Sequence, residues 1–549
     1  MKKLYKPSLI LFLFSILLIP SLNGQTLVHL DKPYYVSGET VWFKSYFDPT
    51  VQEGGIVSVK VVNGDQKMIH QSFLTISERS AKGYFKIPFD IQSGNYTLVL
   101  DGKTSVANDV RIAEVELPIY NDIVVEDFEK TETTSSYAGD INSTNLNINV
   151  TLSGKASSGD NVSAKIQVTD SNGNAVEADC SVSIVDQEMI GFNEGVGIMV
   201  TDQSDPYNDL TPELFYEGIL YDNDGKAIQA NVLGAYSYFD NNFSFTKSAA
   251  DGKFTLPKNT FQGEKEIQFV GFQSEHPVVM AKLDQSVTLK STPKDLRYTD
   301  DIQSYIEESR IRKKINQYFK LKDKASITSD IREEGVFPEM QAKYEVTEYQ
   351  DFEIMAEFAK NLMMPLRFNG KKGERSAQVI NPKSRKQANY FLKGDPLFII
   401  DGKLTRNADY AGNLAQTEVL DLGIIYDGKK LREQFNVMGN SGVVVMNTSG
   451  RREKLPAEDE RNIFRINGLQ YDVNYPVGYN ISSEIEGQPV FDPQLYWNPD
   501  VSTDSSGSAT ISYVQSNDRS TYRIVVVART KDGNIGVGYL DFDSSLAGE

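Results

Sequence analysis

One cysteine, two tryptophans and three histidines in 549 residues leave little material for disulfide or metal chemistry. Cys180 alone can close no intramolecular disulfide, so the domains must stand on their apolar cores. Its flanks, Cys-Ser-Val-Ser-Ile-Val at 180–185, alternate as a strand does and read as a small buried side chain. His29, His70 and His276 fall in separate predicted strands or turns of two domains. Neither an HExxH helix nor a Cys/His grouping is present, so no zinc site is expected. A GxSxG nucleophile elbow is missing too, and Gly439-Asn-Ser-Gly442 does not fit one. Paired carboxylates are too common among 75 acids to single out a catalytic pair. The sequence therefore predicts a non-enzyme with no cofactor and no metal. Basic excess is also absent. The net charge is −19, and a groove that tracks phosphates needs the opposite sign, so nucleic acid is an unexpected partner.

Long apolar runs are confined to Leu9–Ile19, which follows Lys2, Lys3 and Lys6 and precedes Pro20 and Ser21-Leu-Asn-Gly24. That pattern is a secretory signal with cleavage expected after Gly24; losing its three lysines takes the net charge to about −22. The run is too short to span a bilayer, and no integral membrane span is expected. The remaining length calls for about three to five domains. Short aromatic and β-branched runs recur about every ten residues through 26–115, with a turn at Asp101-Gly102, as in a β-sandwich. Alternation returns at Leu146–Leu152 and Val162–Val185. Stretches 121–144 and 191–211 read as linkers. Asp222-Asn-Asp-Gly225 lacks the ligand offsets and closing Glu of an EF-hand and is expected as a type I′ hairpin turn. From Thr299 to Leu321, Ile302, Tyr305, Ile306, Ile311, Ile315, Tyr318 and Phe319 recur at helical spacing and predict one amphipathic helix.

Several motifs carry family resemblances. His29–Phe47, HLDKPYYVSGETVWFKSYF, resembles the second domain of alpha-2-macroglobulin-like proteins through Asp31, Lys32, Pro33, Tyr35, Gly38, Glu39 and Val41. Residues 216–289, with Asp224-Gly-Lys226, Asp251-Gly-Lys-Phe254 and Gly271-Phe272, resemble the carboxypeptidase regulatory-like fold. The C-terminal segment resembles a later macroglobulin domain through Trp497, Asn498, Pro499, Thr503, Asp504, Gly507, Tyr522, Arg523 and Gly533. Pro396, Leu397, Ile400, Asp401 and Gly402, followed by Gly439, Gly442, Val443, Val444 and Thr448, resemble the plug domain of TonB-dependent outer-membrane receptors, here without a barrel. The order resembles a family of exported Gram-negative proteins combining such modules.

These readings imply a mainly β chain of immunoglobulin-like and macroglobulin-like β-sandwiches, one α+β plug-like domain and a connecting amphipathic helix. The expected units are a signal peptide (1–24), a macroglobulin-like sandwich (25–118), a second sandwich (119–211) and a regulatory-like sandwich (212–292). A helical connector (293–345), the plug-like domain (346–452) and a C-terminal sandwich (453–549) follow. The plug resemblance implies an exported, periplasmic protein at the outer membrane, a monomer within a hetero-complex. It would dock on or occlude a separate outer-membrane β-barrel; the type IX secretion translocon, closed by a periplasmic plug protein, offers the analogy. The expected partner-binding residues lie in the loops 404–413 and 426–438: Leu404, Arg406, Asn407, Tyr410, Tyr426, Phe435 and Met438, with Tyr410, Tyr426 and Phe435 as anchors and core as the competing placement. The macroglobulin resemblance implies a different role, envelope defence or protease binding. Cys180 lacks the GCGEQ thioester context, so capture would be non-covalent, with baits at 121–144 or 191–211.

Overall fold

The computed structural model describes residues 25–123, 145–190, 198–202, 209–283, 286–290, 295–319, 326–327, 339–449, 455–475 and 490–544, less residues 49, 107–108, 223, 230–231, 238–241, 272–279, 350 and 385–390. The signal segment, His276 and most of the 121–144 linker lie outside them.

In the first sandwich, alternation divides each strand between two environments. Val28 and Leu30 enter a core with Val41, Phe43, Val59, Leu98 and Leu117, while Leu27 packs on the opposite face in another cluster. One sheet has the order Ile198–Asp202, Gln25–Leu30, Thr40–Tyr46, Ser80–Lys86. The facing sheet runs Tyr35–Val36, Asp109–Tyr120, Gly94–Lys103, Ile56–Val62, Met68–Thr75. Two expectations fail here. Ile198–Asp202, from a stretch read as a linker, is an edge strand paired with Gln25–Leu30. Asp101-Gly102 is no turn but lies inside Gly94–Lys103, where a Cβ on Gly102 would come within 2.5 Å of Leu210.

The second sandwich is assembled from both ends of the chain. One sheet has the order Ser508–Val514, Asn161–Asp170, Leu146–Ser153; the other has Gln494–Ser502, Asp179–Asp186, Thr521–Arg529, Ile535–Asp543. The two sandwiches expected at 119–211 and 453–549 are thus one. Each part alone leaves an apolar face open, and together they enclose Ile166, Val182, Ile184, Ile511, Ile524 and Val526. The third sandwich is discontinuous in the same way. Strands Leu214–Tyr221 through Met280–Leu283 are completed by Ile463–Asn467, paired antiparallel to Glu264–Gly271.

The hairpins at Gly173, Gly225, Gly252 and Gly533 share one geometry. Each glycine has a positive φ of 79–88°, and its N–H bonds the carbonyl three residues back. The type I′ turn expected at Asp222-Asn-Asp-Gly225 includes Asn223, which lies outside the described residues; the Asp222 carboxylate accepts the N–H groups of Asp224 and Lys226.

An α+β domain lies between the strands of the third sandwich. Its sheet has the order Ala342–Glu345, Val419–Ile425, Val443–Thr448, Leu397–Ile400, Lys403–Thr405, with one parallel pair between Leu397–Ile400 and Val443–Met446. One face packs on the helix Met355–Leu362 through Met355, Phe358 and Ala359. The other stacks through Leu397, Ile399, Val443 and Val445 on Tyr236 and Phe243 of the third sandwich. The helix Asp300–Phe319 buries Ile302 and Tyr305 where the first two sandwiches meet. Ile315 packs on the second core, while Ile311 and Tyr318 face solvent, so the apolar stripe is only partly used.

Candidate functional site

The His29–Phe47 segment builds a joint. Asp31 is fully buried, and its carboxylate accepts from Tyr35 Oη at 2.6 Å, the Trp42 N–H at 2.9 Å and Gln494 Nε2 at 2.6 Å. Gln494 belongs to the second sandwich, so the last bond crosses between units. Lys32 Nζ donates to Glu39 at 2.6 Å and to Tyr305 Oη of the long helix at 2.8 Å, over the Tyr35 ring. Glu39 also accepts from the Val36 N–H and from Tyr305 Oη. Gly38, at φ +78°, is required: a Cβ there would meet the Phe89 ring at 2.3 Å.

Beside this network, His29 Nδ1 lies 2.6 Å from Ser181 Oγ, which also accepts from Tyr46 Oη at 2.9 Å. The imidazole meets Trp497 edge-on at 5.0 Å. Lys44 Nζ reaches Asp179 at 2.6 Å and the Pro499 carbonyl at 2.7 Å. Burial, helped by the Lys44 charge, pulls His29 down to about 3. Burial pushes Asp31 up to about 6 against the opposing pull of Lys32 and its three donors. These titratable groups are enclosed by partners from two sandwiches and a helix. What the arrangement does chemically is hold those units in register.

Of the expected partner-binding residues, Leu404, Tyr426, Phe435 and Met438 are buried, and Arg406, Asn407 and Tyr410 are half-buried. Leu404, Phe435 and Met438 are 1%, 2% and 0% exposed and belong to the cluster against the third sandwich, with Phe435 5.9 Å from the Phe243 ring. Gln268 seals Leu404 by accepting its N–H and donating to its carbonyl, both at 2.7 Å. Arg406 donates to the Asp395 and Met438 carbonyls at 3.1 and 2.7 Å. Asn407 caps the helix Ala408–Gly412 by accepting the Tyr410 N–H. Tyr426 lies in the core on the domain's other face, and half-buried Tyr410 packs against it. Leu404, Tyr426, Phe435 and Met438 therefore do not stand out as surface anchors, because both faces of their sheet are covered.

Cys180 is buried in the second core, as its alternating flanks predict, and burial pushes its thiol up to about 12. His70 sits 3.1 Å from Ser72 Oγ, and desolvation lowers it to about 4. Among the described residues no group of three or more His, Cys, Asp and Glu side chains could hold a metal ion. Nor is any helix among them long and apolar enough to cross a membrane.

Open space lies instead where the sandwiches meet. A cleft of about 590 Å³ has Lys82 and Tyr84 on one wall and Gln470, Tyr471 and Tyr475 on the other. A second cleft of about 470 Å³ adjoins it, and Glu78 and Asp179 line both. No motif marks these residues, because the clefts arise from packing between units. At their shared rim the turn Glu78-Arg79 has φ values of 50° and 56°. Arg79 is clamped there: its Nη1 donates to the Lys531 carbonyl, and its own carbonyl accepts from Arg529 Nη1 at 2.6 Å. Glu78 is exposed. Glu78→Asn, which suits left-handed backbone, is expected to raise stability by about 1 kcal/mol in chemical unfolding.

No family model matches the sequence, and no curated protein matches it. Among solved structures, the chain is similar to methylamine-reacted Salmonella alpha-2-macroglobulin, at 9% identity and TM-score 0.23, covering 95% of this chain and 40% of that one. It is also similar to native E. coli alpha-2-macroglobulin, at 10% identity and TM-score 0.25, covering 96% and 40%, and to the porcine-elastase-activated E. coli form, at 9% and 0.24, covering 95% and 44%. The chain spans less than half the length of these proteins, and the architecture described here rests on its own strand pairing and cores.

Proposed function

We propose that this chain is a non-catalytic, macroglobulin-like binding protein of the cell envelope that holds a polypeptide partner, such as a protease, without a covalent bond. The observation that carries this reading is the pair of adjoining clefts, about 590 and 470 Å³, opening between units that the Asp31 and Lys32 networks hold rigidly. Rigid walls spare a ligand the ordering cost of forming its own site. The state of Cys180 supports non-covalent capture, since a buried thiol with a raised pKa offers no thiolate nucleophile. Docking on a barrel is not part of this reading, because Leu404, Phe435 and Met438 are packed against the third sandwich and Tyr426 lies in the core on the other face of the sheet.

The test is to mix the purified chain with catalytically inactivated serine proteases and follow complexes by size exclusion with light scattering. A complex of fixed stoichiometry that separates fully in SDS is expected. An SDS-stable adduct, or no complex with any protease, would sink the reading.

A further inference from the structure

The strand Ser80–Lys86 is the edge of its sheet, and among the described residues Thr40–Tyr46 is its one strand partner. In antiparallel pairing, alternate residues turn both backbone groups toward the partner or both away from it. Tyr84 faces away: its N–H donates to Gln470 Oε1 at 2.9 Å and its carbonyl accepts from Gln470 Nε2 at 2.8 Å. Lys82, two residues earlier and opposite Lys44, points the same way. Among the described residues nothing takes its N–H or carbonyl, and it lines the 590 Å³ cleft.

The Gln470 side-chain amide makes at Tyr84 the two bonds that a residue of an added strand would make. Gln268 seals the edge residue Leu404 in the same manner, and there the seal is buried. On Ser80–Lys86 the seal stops one step short, and the open step faces the cleft. That open step calls for a ligand that offers peptide N–H and C=O groups. The lining charges state its sign. Glu78, Asp179, Asp472 and Asp500 stand against Lys44 and Lys82, a net of −2. Tyr84 and Tyr475, the first tilted against Trp42 and the second edge-on to it, supply aromatic rings for alkyl-ammonium or guanidinium groups.

We infer that the cleft binds an extended, basic polypeptide segment of a partner protein by strand addition at Lys82. This rests on the polypeptide-binding reading and assigns it a site and a ligand chemistry. The probe is a fluorescein-labelled ten-residue peptide of alternating lysine and valine, with a glutamate–valine peptide as control, titrated into the full chain by anisotropy. Lys82→Pro removes the N–H without touching the ladder to Thr40–Tyr46 and is expected to weaken lysine–valine binding about tenfold, the loss of about one backbone hydrogen bond. Lys82→Ala keeps the N–H, removes one positive charge and is expected to bind at least as well as the parent. Gln470→Ala exposes the Tyr84 pair as a second step and is expected to tighten binding, a direction that simple structural damage would not give. Equal affinity of Lys82→Pro and Lys82→Ala, or equal binding of the acidic peptide, overturns the inference. If Lys82→Pro still forms the protease complex at parental strength, the inference fails while the polypeptide-binding reading stands. Loss of every complex in the parent chain fails the reading itself.

Discussion

A chain lacking residues 490–549 is expected to lose the second sandwich outright, including its strands at 146–186. Leu495, Ile511, Ile524 and Val526 are all at most 3% exposed in its core. At about 1.5–3 kcal/mol for each, these four alone contribute about 6–12 kcal/mol as an upper bound. That matches the whole stability of an ordinary domain, about 5–15 kcal/mol, so the remaining three strands cannot stay folded. Trypsin with mass spectrometry reads the outcome at Lys165, in the middle strand of its sheet. The truncated chain should be cut there quickly, while sites within the third sandwich and the α+β domain stay protected. Protection of Lys165 in the truncated chain would refute the discontinuous sandwich.

That prediction marks the boundary of what the sequence makes readable. The alternation of Leu146–Leu152 predicts a strand, and the structure has Leu146–Ser153. Its neighbour Asn161–Asp170 is close in sequence, with a local turn to set the register. The other neighbour of Asn161–Asp170, Ser508–Val514, lies 349 residues away at the Ser163–Ser512 contact. No local pattern encodes such a partner, since the choice is made by packing summed over both sheets. Local reading stops at the loops 404–413 and 426–438 for a related reason. Leu404, Phe435 and Met438 stand among polar neighbours as surface anchors would, but the same spacing serves a sheet covered on its second face. The His29–Phe47 motif shows the converse. Its charged residues are visible in sequence, whereas Gln494 and Tyr305, which give Asp31 and Lys32 their roles, come from the far ends of other segments. The clefts had no sequence signal at all, because Tyr84, Gln470 and Tyr475 become neighbours only after three units dock.

Substitution at Asp31 carries the second large effect, because one carboxylate ties the first sandwich to the second. Asp31→Ala leaves Tyr35 Oη, the Trp42 N–H and Gln494 Nε2 buried without their acceptor, at a cost of about 3–5 kcal/mol. Asp31→Asn is expected to cost about 1 kcal/mol, since its Oδ1 keeps two donors and the Gln494 amide can turn its oxygen toward the new NH₂. The two variants also differ from the parent in pH dependence. The folded pKa of Asp31, about 6, exceeds the ordinary carboxylate value of 3.8, so the folded state binds this proton more tightly than the unfolded chain does. Its contribution therefore grows as pH falls from 6 toward 4 and is absent above that window. His29 has the opposite sign. Its folded pKa, about 3, lies below the ordinary imidazole value of 6.5, so its contribution is present above pH 6.5 and is lost as pH falls toward 3. In the parent the two slopes oppose each other between pH 6 and 4, each near 1.4 kcal/mol per pH unit. Urea unfolding at pH 7, 6, 5 and 4 should thus show Asp31→Asn losing ground to the parent with each step down from pH 6, and His29→Asn gaining on it over the same steps. Parallel pH profiles for the parent and both variants would mean that neither group titrates within the joint.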